Sequence, residues 1–180
     1  LDEAISSSAL QAHVPGQVLA DMAREKGGGM TSYYWPKPGQ EEAKLKISYS
    51  RLVSGTGWVV GTGAWIEDIT LEMQARALQE IKGMRMSDGN YFWVNDRDLV
   101  MVMHPDKPRL NGQSVRDMQD KNGKYLFREM LEVLGENGQG FVDYYWAKPG
   151  IEGIHPKLSY VWLFEPWGWV IGNGIYIDEI

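Results

Sequence analysis

One lysine in this chain stands in company that could do chemistry. Lys157 opens the run KLSYVWLF, with Tyr144 and Trp146 upstream and Ser159 and Tyr160 just after it, and Lys46 repeats that setting 111 residues earlier. A cation held among aromatic side chains on a strand is suited to seat a small carboxylate, which needs a charge-assisted donor inside an otherwise apolar hollow. A second donor is His104, at the end of the run LVMVMHP and immediately before Pro105. There one ring nitrogen can be anchored by backbone while the other donates to a ligand. Strand alternation puts Tyr91 and Trp93 on one face of their strand, and Tyr144 and Trp146 with Val142 on one face of theirs. The candidate ligand-binding set is therefore Tyr91, Trp93, His104, Pro105, Tyr144, Trp146, Lys157, Ser159 and Tyr160. Each has a plainer reading: a solvated lysine on an open strand face, a histidine closing a turn, aromatics that pack rather than bind. Met101 and Met103 are expected to point away from His104 and fill core, with Val102 sharing the histidine's face. Arg85 is expected at the surface.

No set of residues suggests catalysis. The chain has no cysteine, and His13, His104 and His155 include no pair at helical metal-binding spacing. There is no G-x-S-x-G elbow, and the GTG at Gly61 lies within a strand pattern rather than before a helix. The acidic residues Asp88, Asp96, Asp98, Asp117 and Asp120 fall among turns, and DKNG is too short to be a calcium loop. No enzyme activity, cofactor or metal is expected. A formal charge of −6 and a pI near 5.1 argue against nucleic acid. No apolar stretch reaches the roughly 18–20 residues that span a bilayer. The chain begins at Leu1 with no signal-peptide pattern and reads as a soluble piece of something longer.

The elements that must position these residues come from a duplication. Gly29–Ile69 aligns without gaps on Gly140–Ile180, and 19 of the 41 positions are identical. YYWPKPG recurs as YYWAKPG, KISY as KLSY and GWVVGTG as GWVIGNG. Each copy reads as three strands in an antiparallel meander, broken by Pro and Gly. Glycines 172 and 174 in the third strand suggest a bend or a close approach. Between the copies, the apolar spacing predicts a helix over 70–82, capped by Thr70 and ended by Gly83. A hairpin follows, DGNYFWVND from Asp88 and LVMVMHP from Leu99, turned at 96–98. A helix over 125–134 ends at Gly135. A shorter helix is expected over 16–29, with nothing upstream matching the hairpin. The fold class is α+β, an antiparallel sheet flanked by helices.

DGNYFWVND, MHP, GFVDYYWAKPG, KLSY and PWGWVIGNGIYIDEI, in that order, resemble the Cache domains of bacterial chemoreceptors, of the second subtype. The resemblance covers Asp88–Ile180 and, through the repeat, Gly29–Ile69. It implies a PAS-like sheet in a periplasmic sensor domain of an inner-membrane receptor that is a homodimer when full length. It further implies a ligand such as acetate, propionate, lactate or pyruvate, and a methyl-accepting signalling domain, or less often a kinase or cyclase, as the output. On this reading residues 1–69 are a partial first module, 70–87 a connecting helix and 88–180 a complete membrane-proximal module. The competing readings are an aromatic carbohydrate-binding β module, for which the repeated YYW and the 8 Trp speak, and a spacer whose pocket is filled by its own side chains.

Overall fold

The computed structural model describes residues 15–86 and 89–177. Asp88, at the start of the hairpin motif, and residues 178–180 of the terminal motif lie outside the described residues, as does His13. The chain divides into two compact units, Leu1–Ala75 and Arg76–Ile180. Among the described residues, no helix is long and apolar enough to cross a membrane.

In the first unit, helix α1 (Pro15–Lys26) precedes strands β1 (Gly28–Pro36), β2 (Ala43–Leu52) and β3 (Val59–Trp65), which pair in chain order as an antiparallel meander. Ala23 of α1 is fully buried, and the α1 backbone is tied to the sheet where Ser50 donates to the Leu19 carbonyl at 3.0 Å. Helix α2 (Ile66–Gly83) starts directly at the end of β3. It begins four residues before the expected Thr70 cap. Glu67 and Asp68 fill its first turn, where carboxylates oppose the helix dipole, and both pair with Lys37. The boundary between the two units therefore falls inside this helix.

The second unit holds β4 (Phe92–Asp96), β5 (Met101–Met103), α3 (Leu126–Leu134), β6 (Gln139–Ala147), β7 (Ile154–Phe164) and β8 (Trp169–Tyr176). Their order in the sheet is β5-β4-β8-β7-β6, antiparallel throughout. The meander β6-β7-β8 is the second copy of β1-β2-β3, and β4 adds to its free edge. On the inner face, α3 turns Leu126, Phe127, Met130 and Leu134 onto Val142, Val161 and Leu163. On the outer face, Ala77, Leu78 and Ile81 of α2 cover Val94, Met103 and Trp169.

A bulge between Val94 and Asn95 changes what alternation predicts. Val94 pairs with Met103 while Asn95 pairs with Met101, so one extra residue sits in β5. Met101 and Met103 both fill core, but on opposite faces, Met101 inside and Met103 outside. Val102 packs on the outer cluster. It does not share a face with His104, which the reset alternation sends to the inner one.

Candidate functional site

The site is built on the inner face where β7 runs between β6 and β8. Lys157 pairs with Tyr144 on one side and Tyr176 on the other, so three strands converge on it. The side chain is fully buried. Its ammonium lies 4.3 Å from the centre of the Tyr91 ring, 4.9 Å from Tyr176 and 5.6 Å from Trp93. Aromatic faces carry negative potential, which compensates part of the lost hydration of a buried cation. Two residues on, Ser159 shares this face and exchanges a 2.9 Å hydrogen bond with the Tyr144 hydroxyl. The Tyr176 hydroxyl donates to the Ala147 carbonyl at 2.7 Å, fixing that ring on β6.

Space for these rings comes from glycine. A Cβ on Gly172 would stand 2.1 Å from the Trp93 ring, and one on Gly174 would stand 2.1 Å from the Ser159 hydroxyl. The close approach anticipated from GNG is thus an aromatic ring laid flat on bare backbone. Trp93 is held there by its indole N–H, which donates to Asn95 at 3.3 Å.

His104 enters from the end of β5. Its backbone N–H donates to Asn111, and its ring Nδ1 accepts from the Lys107 backbone N–H at 3.1 Å. A neutral imidazole that accepts through Nδ1 carries its proton on Nε2, leaving that nitrogen as the donor. The ring lies 4.9 Å from Tyr91 and 6.1 Å from Trp146, so Tyr91 contacts both His104 and Lys157. Burial, followed by the positive charges of Lys107, Lys157 and Arg85, lowers the His104 pKa to about 3. The imidazole is neutral at physiological pH. Burial also raises the tyrosine hydroxyls of Tyr91 and Tyr144, keeping both protonated as donors.

The arrangement therefore presents one buried ammonium, a neutral imidazole and tyrosine hydroxyls inside aromatic walls. Chemically it is matched to a small anion with an apolar tail. Of the residues named from sequence, Tyr91, Trp93, His104, Tyr144, Trp146, Lys157 and Ser159 are all buried and share the inner face. Pro105 is half-buried in the loop that follows His104. Tyr160 is not brought to them. It lies on the outer face, packed at a tilt against Phe141 and donating to Gln139. Arg85 pairs with Asp106 at 3.0 Å near the loop after β5. Tyr176 was missed, although it falls two residues beyond Gly174 on the same face. Asn95, which orients Trp93, gave no sequence signal.

Residues 6–180 match the Cache domain family, and the chain belongs to it. The methyl-accepting chemotaxis protein McpP of Pseudomonas putida is 40% identical over 107 residues, covering 59% of this chain and 20% of that protein. A solved structure described as carboxylic acid recognition by a Cache chemosensory domain is 46% identical, with a TM-score of 0.58 over 60% of this chain and 74% of its own. A periplasmic sensor domain of a chemotaxis protein is also 46% identical, with a TM-score of 0.57 over 59% of this chain and 74% of its own. The chain spans about a fifth of the length of McpP. Cache domains of chemoreceptors are periplasmic sensor domains, and this chain is an extracytoplasmic sensor domain of that family.

Proposed function

We propose that this chain is the tandem Cache sensor region of a chemotaxis or signal-transduction receptor, and that its second unit binds a two- to four-carbon monocarboxylate on Lys157. The observation that carries this reading is the ammonium of Lys157, fully buried on the inner face among three aromatic rings and beside a neutral histidine. Taking a cation out of water is costly, aromatic faces offset part of that cost, and a bound carboxylate would offset more. The related structure that recognises a carboxylic acid supports the same chemistry. Acetate, propionate, lactate and pyruvate all combine one carboxylate with a small remainder that aromatic walls can enclose.

The division of labour follows the repeat: 1–69 a partial module, 70–87 a connector, and 88–180 the complete, membrane-proximal module that holds the ligand. The signal leaves through β8, which borders Lys157 through Tyr176. A ligand that favours one of two arrangements of this strand biases the receptor by its differential affinity. In the full-length receptor the module works as a homodimer. A glycan platform is less well supported in the second unit, where Trp93, Trp146 and Trp169 are buried and Trp162 is exposed.

The test is thermal stabilisation by each of the four acids, measured by differential scanning calorimetry. Ligand at a hundredfold excess over Kd should add about 2.7 kcal/mol to stability. Absence of any response to all four acids would sink the reading.

A further inference from the structure

Beside the buried cluster around Lys157 lies a hollow that Lys157 does not line. It is a cleft of about 460 Å³, bordered by the loop after β5, the turn at 118–121 and the end of β6. Three cations line it: Lys107, Arg109 and Lys121. The chain as a whole carries −6, so this is a local reversal of sign. Asp120 is the acidic lining residue, and its oxygens are already engaged. Oδ1 accepts from the backbone N–H groups of Asn122 and Lys124, and Oδ2 from that of Tyr145. Burial opposes ionisation of Asp120, yet these backbone donors hold its pKa below the ordinary carboxylate value. The carboxylate is thus spent on shaping the turn.

The two lysines are not loose. Lys107 stacks on Trp146 at 3.9 Å and Lys121 on Tyr145 at 3.6 Å. Both are therefore aimed across the cleft by aromatic platforms instead of trailing in solvent. Burial and the neighbouring Arg109 lower the Lys107 pKa, with Asp106 acting against them. Like charges crowded in one concavity are relieved by an anion.

Trp146 borders both the cleft and the buried cluster. One side of its indole carries Lys107, and the ring also lies 6.1 Å from both His104 and Tyr144 in the buried cluster. The same His104 ring lies 4.9 Å from Tyr91, the ring that bears on Lys157. Lys107 belongs to both sides as well, since its backbone N–H anchors the His104 ring while its side chain faces the cleft.

We infer that this cleft is an outer binding station for small carboxylates, and that Trp146, held by Lys107, is the gate through which they pass to the buried seat. The inference rests on the carboxylate-sensor reading of Lys157. An anion arriving from solvent exchanges water for the ammonium groups of Lys107 and Lys121. Rotation of the Trp146 indole, with Lys107 following the anion, then opens the way to Lys157 and His104. Steering of this kind raises association rates by ten- to a thousandfold and weakens with ionic strength.

The test is an NMR titration with sodium propionate, run against sodium chloride at matched ionic strength. It compares the wild-type chain with Lys157→Met, with Lys107→Met/Lys121→Met and with a control, Arg76→Met/Arg97→Met, that loses the same charge elsewhere. In the wild type, amides near Lys157 respond to tight binding, while those of Lys107, Lys121 and Tyr145 report a weaker, salt-sensitive step. Lys157→Met loses the tight response and keeps the cleft shifts. In the double lysine variant the cleft shifts vanish and the seat fills about tenfold more slowly at low ionic strength. The arginine control fills at the wild-type rate. The inference is overturned if cleft amides of Lys157→Met move no more with propionate than with chloride. It is equally overturned if the double lysine variant fills the seat as fast as the wild type. A wild type whose cleft responds while its seat stays silent would refute the sensor reading, and with it the gate.

Discussion

The two meanders of this chain are nearly the same object locally, yet they hold their lysines differently. In each, a tyrosine on the first strand bonds a serine on the second at 2.9 Å, Tyr33 with Ser48 and Tyr144 with Ser159. In each, a Cβ on the third-strand glycine, Gly63 or Gly174, would stand 2.1 Å from that serine's hydroxyl. Lys46 stacks on Trp65 at 4.1 Å, and Lys157 on the equivalent residue, Tyr176, at 4.9 Å. The difference is enclosure. Lys46 is half-buried and has one ring, whereas Lys157 is fully buried and has three. Two of those three, Tyr91 and Trp93, come from β4 and its approach, which the first unit lacks among its described residues. A duplicated strand pair thus carries the chemical group, and in the second unit the hairpin encloses it.

The largest effect that could break this contrast is on binding. Lys157→Ala is expected to weaken propionate binding by more than a hundredfold, about 3 kcal/mol, because it removes the charged partner of a desolvated carboxylate. Lys46→Ala is expected to leave affinity unchanged. Calorimetric titration of both variants decides, and an equal loss in the two would make the first unit a working site.

Next in size is a packing comparison at equivalent positions. Gly172→Ala drives a methyl into the buried Trp93 ring and should cost about 2–3 kcal/mol in denaturant unfolding. Gly61→Ala meets a backbone oxygen at 3.1 Å and no ring, so a loss of under about 1 kcal/mol is expected. If the two variants lose equal stability, β4 does not distinguish the units.

A pH effect should belong to the second unit. His104 has a folded-state pKa near 3 against an ordinary 6.5, so protonation favours the unfolded chain. The stability it contributes is complete above about pH 6.5 and is lost as pH falls from there toward 3. At pH 5 the loss relative to pH 7 is about 2 kcal/mol. His104→Gln should remove that portion of the acid dependence, and a variant with an unaltered pH slope would mean the imidazole titrates normally.

The smallest expected difference tests the shared part. Tyr33→Phe and Tyr144→Phe each strip the partner from a buried serine and should each cost about 1 kcal/mol. A clear inequality in urea unfolding would show that the two meanders are not equivalent even where their geometry agrees.

Much of this was legible in the sequence. The repeat defined both meanders, because identical spacing of Pro, Gly and β-branched residues produces identical pairing. Period-two alternation put Tyr144 and Trp146 on one face, and it also places Tyr160 opposite Lys157 and Ser159, which a stricter reading of parity would have used. The same parity runs from Gly172 and Gly174 to Tyr176. Other features were not legible. The bulge at Val94 and Asn95 inserts one residue with no turn signal, and this splits Met101 from Met103 and turns His104 inward. The start of α2 at Ile66 was hidden because Glu67 and Asp68 serve as first-turn acids where Thr70 looked like a cap.

By itself, the sequence determined the family, the duplicated strand pattern and the register that aligns Lys46 with Lys157. These depend on neighbours a few residues away, and local spacing encodes them. Only the tertiary structure decided that Lys157 is fully enclosed, that His104 accepts through Nδ1, and that Trp146 borders both the buried cluster and a cationic cleft. Those outcomes depend on which distant segment crosses a given face. That choice is set by the whole packing of hairpin, helix and loop against the sheet.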